Sequence, residues 1–479
     1  MSSSSKKQFD RRDFFRASAT GAAAMSFSGG LAFADKSIGK TADSPSVFAE
    51  PVRKLQVMDD CDVIVCGGGP AGFSAAIAAA RAGARTRLFE VNGCLGGVWT
   101  AGLLTYVFDF DKPGLSHELT KRLNERDARV GKNVYRYVYH VEEMKCLLEE
   151  MVMKENIKTQ LHTRVVAAYK NDANRLTTIV TESKSGRQAW KADVFIDATG
   201  DGDLGALAGC DWQFGRTKEC PCQPMTMNAL VTVPDVKKIK DYVLFYEGDD
   251  SWKSWQNQAR QRFLGEIKRA GIEPSYGEPT LFHMRGGLLT LMVNHEYGIR
   301  PFDAAQVSDA TMRARAEVDR IAKGLKSLGG IWSGIDLVAT AEQIGIRDGR
   351  RIEGRYLVTK DDLTKGVRHE DAVARVTFGV DVHAATKKEN ADQAISNEGV
   401  RTRPYDIPLR ALIAKDVDGL MTAGRCISGD FLAHASYRVT GNSVAMGEAA
   451  GAVAAVASRD KLLPHEVNWK TAKALLKQD

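Results

Sequence analysis

Asp62-Val63-Ile64-Val65-Cys66-Gly67-Gly68-Gly69-Pro70-Ala71-Gly72 is the stretch that decides the fold. Its first half is a short apolar run, the pattern of a strand buried on both faces of a parallel sheet. Its second half is a glycine turn that opens on residues 73–81, an alanine-rich helical stretch closed by Gly83. Residues 86–89 then read as a second strand ending on Glu90. Gly67 makes the tight turn, Gly69 lets the backbone approach a pyrophosphate, and Gly72 lets helix and strand pack closely. The helix start at Pro70 and Ala71 offers free N–H groups and a positive dipole end to phosphate. Glu90 lies where an acid hydrogen-bonds a ribose hydroxyl, and it would repel a 2′-phosphate. The stretch predicts an adenine-dinucleotide site in an α/β, doubly wound domain.

Two further stretches choose the dinucleotide. Asn92-Gly93-Cys94-Leu95-Gly96-Gly97 is a second glycine loop directly after Glu90. Such a loop suits a cofactor that continues past the pyrophosphate, as FAD does. Near the other end, residues 417–423 read as a strand that runs into Gly424-Arg425. Residues 431–438 follow, and Gly441-Asn442-Ser443 opens a long small-residue helix over 444–457. Its N-terminus is expected at the flavin pyrimidine, stabilising negative charge on the reduced ring. No second GxGxxG follows a strand, so no separate NAD(P)H domain is expected.

With these motifs the chain resembles the FAD-dependent oxidoreductase family related to heterodisulfide reductase A-like flavoproteins. Four blocks carry the resemblance: residues 67–72 with Leu95-Gly96-Gly97; Ile196-Asp197-Ala198-Thr199-Gly200-Asp201-Gly202-Asp203-Leu204; Gln343-Ile344-Gly345-Ile346-Arg347 through Arg350-Arg351-Ile352; and Tyr405-Asp406-Ile407-Pro408-Leu409-Arg410 through Gly451. The resemblance implies non-covalent FAD in a glutathione-reductase-like fold. It implies a Rossmann-like FAD-binding domain built from discontinuous segments, with an inserted α+β substrate or cap domain. It carries FAD contacts onto Gly67, Gly69, Gly72, Glu90, Gly96 and Gly97, and a strand-borne adenine contact onto Val165. It places Ala198 and Gly200 on the adenosine side. Gly424 and Asp430 resemble the ribityl-contacting segment, with Asp430 later than the usual acid. The chain lacks the cysteine clusters that bind iron–sulfur centres in related subunits.

Length and composition agree with this organisation. The 479 residues suit two or three domain-sized units of about 100–200 residues. The expected division is 58–211, 336–360 and 401–479 for the FAD-binding domain, with 212–335 and 361–400 for the cap. The net charge of +6 comes from mixed signs without long runs, which gives no footprint for nucleic acid. The eight cysteines show no zinc spacing, and no metal is expected. Cys94 beside the flavin loop either joins a redox-active disulfide or packs as a small apolar residue.

Residues 1–34 read as an address. Arg11-Arg12-Asp13-Phe14-Phe15 precedes a weakly apolar stretch that ends at Ala32-Phe33-Ala34, a small-residue cleavage site. The paired arginines make it a twin-arginine signal. The apolar stretch is too short and too polar to span about 30 Å of hydrocarbon, so the mature chain is expected to lack a transmembrane segment. Its removal takes five basic and two acidic residues and halves the net charge. Residues 35–57 read as a flexible leader, and the mature protein is expected in the periplasm or otherwise outside the cytoplasm.

For catalysis, His434 and Arg438 stand just before the flavin-facing helix. His434 is expected either to shuttle a proton or to brace the loop, and Arg438 either to orient a carboxylate or carbonyl or to brace the helix end. Tyr437 is a lesser candidate. Arg347 suits a site or an interdomain salt bridge equally well, and His283 and His295 fall in the expected cap. The leading expectation is an exported flavoenzyme that transfers hydride between a small organic substrate and FAD. A quinone or a periplasmic carrier is its expected electron partner. The alternatives are an electron-transfer protein without its own substrate and a non-catalytic FAD-binding protein.

Overall fold

A computed structural model describes residues 48–58, 61–131, 133–216, 222–244, 246 and 254–476. The expected signal through residue 34, Cys220 and Trp252 lie outside the described residues. Residues up to Lys54 form one unit, of which 48–54 are described and exposed. Leu55–Asp479 form the other.

The opening stretch folds as its pattern predicts. Strand β1 (Val63–Cys66) runs into helix α1 (Pro70–Arg81), which returns the chain to strand β2 (Thr86–Phe89). Pro70 takes the first helical turn, where its missing N–H is no loss. Strands β3 (Lys158–Gln160), β4 (Val194–Asp197) and β5 (Leu420–Thr422) complete a parallel sheet in the order β3-β2-β1-β4-β5. This is the order of a doubly wound nucleotide-binding sheet. Val65 at its centre pairs with Leu88 on one side and Ile196 on the other. Strands β1, β2, β4 and β5 are buried along their whole length, as a sheet covered on both faces requires.

Helix α2 (Thr440–Asp460) packs along α1. A Cβ at Gly447 or Gly451 would sit 2.1 Å from the carbonyl oxygen of Ala71 or Ala75, so glycine there lets the two backbones touch. The helix starts at Thr440 rather than 444, which puts Gly441, Asn442 and Ser443 inside its first turn. Residues 158–165 alternate in sequence as one strand would, but they are not a single strand. They divide into β3 and a strand at Arg164–Lys170, with His162 at φ +50° in the break. The second strand joins an antiparallel meander with Leu176–Ser183 and Gly186–Lys191.

A second five-stranded sheet is ordered Val243–Leu244, Thr280–Arg285, Leu288–Met292, Ala229–Thr232, Asp336–Thr340. Helices Ser254–Arg269 and Ala304–Ser327 accompany it. Val231, Leu289, Val318 and Trp332 are among its core residues, and the same core takes in Leu103, Tyr106, Val138 and Val141 from the earlier segment. Beyond its strands, bridges Met225↔Glu296 and Thr226↔Gly345 draw three remote segments together.

Candidate active site

The glycine turn is a cradle. Gly67 has φ +99°, and a Cβ there would lie 2.4 Å from the Ala198 carbonyl oxygen. A Cβ at Gly72 would lie 1.7 Å from the Gly67 oxygen, which fixes how closely α1 meets the turn. At Gly69 a Cβ would meet nothing within 4 Å. The turn is therefore closed towards the protein and open at Gly69. The second glycine loop is tied to it, since the Gly96 N–H donates to the Gly68 carbonyl at 2.8 Å.

Glu90 is buried at the end of β2. Its Oε2 accepts the Gly68 N–H at 2.5 Å, and its Oε1 accepts from the Asn92 N–H and side-chain amide at 2.8 Å each. Burial pushes the carboxyl up, while the donors of Asn92 and Gly68 pull it down. Asp197, at the end of β4, accepts from the Thr199 N–H at 3.0 Å, the Thr199 hydroxyl at 2.7 Å and the Gly205 N–H at 2.8 Å. It holds the Ala198-Thr199-Gly200 turn in place. Burial pushes its carboxyl up to about 6. Arg425 clips the same turn through Asp201 at 2.8 Å.

A cavity of about 1100 Å³ opens from this cradle. Gly67, Gly69, Pro70, Ala71, Glu90, Gly97, Val165, Ala198, Gly200, Gly424 and Ser443 all line it. The fit to FAD rests on the closed-and-open turn and on the room available, which exceeds the roughly 300–1000 Å³ of an ordinary small-ligand pocket. Gly72 and Gly96 stand one layer back and shape the turn. Asn442 is fully buried behind the lining, with neither end of its amide hydrogen-bonded.

Two expectations need correction. Asp430 is not on the cavity wall. It caps helix Phe431–Tyr437, accepting from the Ala433 and Lys360 N–H groups at 2.7 Å each. His434, on that helix, is fully buried and does not line the cavity either. Burial, with Arg351, Arg438 and Arg425 nearby, holds its imidazole far below the usual range. Its placement suits the bracing role and not the proton shuttle.

Arg438 does line the cavity. Its Nη2 donates to Asp381 Oδ2 at 2.9 Å, to the Asp381 carbonyl at 2.7 Å and to Gln223 Oε1 at 3.2 Å. Asp381 also faces His383, whose Nε2 lies 3.4 Å from Oδ2. Burial pulls the His383 imidazole down to about 4, with Arg347 and Arg438 pushing the same way and Asp381 opposing them. His383 is thus neutral at neutral pH. With Nε2 turned to the carboxylate, Nδ1 is left as an acceptor, and it has no hydrogen-bond partner. Tyr276 lines the same wall, its ring 4.0 Å from that of His295 and 5.9 Å from that of His383. His283 lies apart, with Nε2 2.9 Å from the Gly286 carbonyl.

Sequence reading missed Asp381, His383 and Tyr276. One signal was present: Asp381-Val382-His383 sets an acid and a histidine two apart, on one face of an extended segment. Cys94 is a free, buried thiol 3.6 Å from the Thr100 hydroxyl, in keeping with the packed alternative. Among the described residues no cluster suits a metal ion, and no helix is long and apolar enough to cross a membrane.

A family profile described as "FAD dependent oxidoreductase" matches residues 62–476. No curated protein matches the chain. Among solved structures, a geranylgeranyl bacteriochlorophyll reductase-like protein from Thermoplasma acidophilum is similar at 13% identity over 88% of this chain and 83% of that one, with a TM-score of 0.44. The flavin-dependent halogenase CmlS is similar at 11% identity over 87% and 60%, TM-score 0.42. A triple mutant of the flavin-dependent brominase Bmp2 is similar at 11% over 86% and 83%, TM-score 0.41. At those scores the likenesses fix neither fold nor activity.

Proposed function

The chain belongs to the FAD-dependent oxidoreductase family, an enzyme family whose cofactor is FAD, and from that premise we propose an exported enzyme that transfers hydride between a small organic substrate and the flavin. One observation carries the reading. The glycine cradle and the Arg347, Asp381, His383 and Arg438 cluster line the same cavity, so cofactor and substrate share one space.

In this reading Gly67, Gly69, Ala71 and Ser443 hold the cofactor's phosphates and neighbouring groups, and Glu90 takes a ribose hydroxyl. FAD, when bound, supplies a two-electron acceptor and donor. The protein handles the proton. Asp381 is held by Arg438 and fixes the His383 ring, and His383, whose side chain lines the cavity, is the group that exchanges a proton with the substrate. Aromatic side chains give the cavity an apolar wall that excludes water: Tyr106 and Phe282 stack with centroids 5.2 Å apart, and Phe108 stands edge-on to Tyr106.

The finer features stand as parts of the same proposal. The four sequence blocks support kinship with heterodisulfide reductase A-like flavoproteins and a glutathione-reductase-like arrangement. The segments 212–335 and 361–400, which contribute Tyr276, Asp381 and His383, form the substrate side. The paired arginines at Arg11-Arg12 support export, with a quinone or a periplasmic carrier as electron partner.

The decisive experiment purifies the mature chain, counts flavin per chain, and screens small metabolites anaerobically for bleaching of the band near about 450 nm. A stoichiometric flavin bleached by a metabolite is expected. A chain that takes up no flavin, or a flavin reduced only by a partner protein, would overturn the reading.

A further inference from the structure

Arg347 makes no ion pair to the described residues, although Asp381 is near enough to raise its pKa. Its neighbours' ion pairs are already made: Arg438 with Asp381 at 2.9 Å, Arg425 with Asp201 at 2.8 Å and Arg351 with Asp348 at 3.0 Å. Arg347 has only neutral partners, its Nη1 donating to the Pro224 carbonyl at 2.8 Å and to the Thr226 hydroxyl at 2.7 Å. Those bonds lock the plane of the guanidinium. Nε and Nη2, two N–H donors along its other edge, make no hydrogen bond to the described residues. The side chain lines the cavity, where a lone charge is poorly solvated and calls for a counter-ion. Burial and the nearby Arg438 pull its pKa down only to about 10, so the charge persists at neutral pH.

The surroundings are similarly unsatisfied. Gln223 Nε2, next to the Pro224 that anchors Arg347, is buried without a partner. The Tyr276 phenol lines the same wall and makes no hydrogen bond to the described residues. Burial pushes that phenol up to about 12, which keeps it a donor.

We propose that Arg347 is a carboxylate clamp: the substrate is a small organic acid whose carboxylate bridges Nε and Nη2, with the Tyr276 hydroxyl as a further donor. The inference rests on the hydride-transfer reading and names the substrate class for the same cavity. Two parallel donors on a planar group match a carboxylate. A dianion such as phosphate would be repelled by Asp381 on the same wall. The cofactor's own phosphates belong elsewhere. Those are assigned to the glycine turn of residues 67–69 at the start of α1, whereas Arg347 is tied to Pro224 and Thr226.

The test uses the flavin-loaded protein with propionate, glycolate, propionamide and inorganic phosphate as probes. Binding is read from perturbation of the flavin spectrum and, independently, from melting temperature. Propionate and glycolate are expected to bind, propionamide and phosphate not. Arg347→Gln should weaken carboxylate binding at least about tenfold, as loss of a charge-assisted pair does, with flavin content unchanged. Arg347→Lys, which keeps the charge but not the fork, should fall between, and its melting temperature checks that the fold is intact. A flavin-loaded chain indifferent to carboxylates overturns the clamp and leaves the cofactor reading standing. So does an Arg347→Gln chain that loses flavin yet binds propionate as before, or phosphate binding as tight as propionate. A chain without flavin that still binds propionate through Arg347 supports the clamp while defeating the cofactor reading.

Discussion

Three residues show how far local environment overrides residue type. Glu448, on α2, is buried and accepts the Leu115 N–H at 2.9 Å, which caps helix Leu115–Glu125. Burial pushes its carboxyl up to about 8, with Arg81 opposing and Glu118 adding to the shift. In the unfolded chain it returns to the ordinary carboxylate range. The fold therefore holds a proton that the unfolded chain releases. Its contribution to stability is complete below the ordinary carboxylate pKa and falls as pH rises through about 8. Glu448→Gln should raise the melting temperature at pH 9 and leave it unchanged at pH 4, measured by calorimetry. His383 makes a second case, where geometry and neutrality fit an acceptor. His383→Asn should lower kcat by about 10²–10⁴-fold while flavin content and melting temperature stay near wild type. An equal loss of flavin would mark it as a structural residue instead. Gly67→Ala adds a Cβ 2.4 Å from a carbonyl oxygen at a positive φ. It should destabilise the chain by about 1–3 kcal/mol and reduce flavin retention after gel filtration.

At the scale of elements, the contact between α1 and α2 joins the two sequence halves that carry the cofactor motifs. Gly447 and Gly451 face Ala71 and Ala75 with no room for a side chain. Gly451→Val should therefore destabilise the fold by about 1–3 kcal/mol, visible as a lower urea midpoint, and should shift the cradle that Ala71 helps to form. The same elements show what was legible. Residues 62–97 could be read because strand, turn, helix and acid must follow one another at fixed spacing to hold one pyrophosphate. The start of α2 was misplaced because its first turn holds Gly441, Asn442 and Ser443, residue types as much at home in a turn as in a helix. The division at 161–163 was invisible because alternation looks alike in a parallel sheet and in a meander. Only the φ +50° turn at His162 separates the two strands.

For the whole molecule, one cavity receives side chains from segments hundreds of residues apart, so filling it should bind them together. FAD at about 100 times its Kd is expected to add about 2.7 kcal/mol. The flavin-stripped protein should melt lower and regain the loss when FAD is restored, and a melting temperature indifferent to FAD would argue that the cavity holds something else. By itself the sequence determined the nucleotide-binding strand–turn–helix, the choice of FAD and the family, because those depend on contiguous backbone geometry and on which positions lack a Cβ. Only the tertiary structure decided which distant side chains share the cavity. Arg347, Tyr276, Asp381, His383 and Arg438 have no common spacing, and they meet because bridges such as Thr226↔Gly345 fold distant loops onto one cavity. It also put His383 on the cavity wall and His434 behind it. A histidine's sequence position does not say whether it lines a cavity or is packed behind its wall, and that burial decides which groups it can reach.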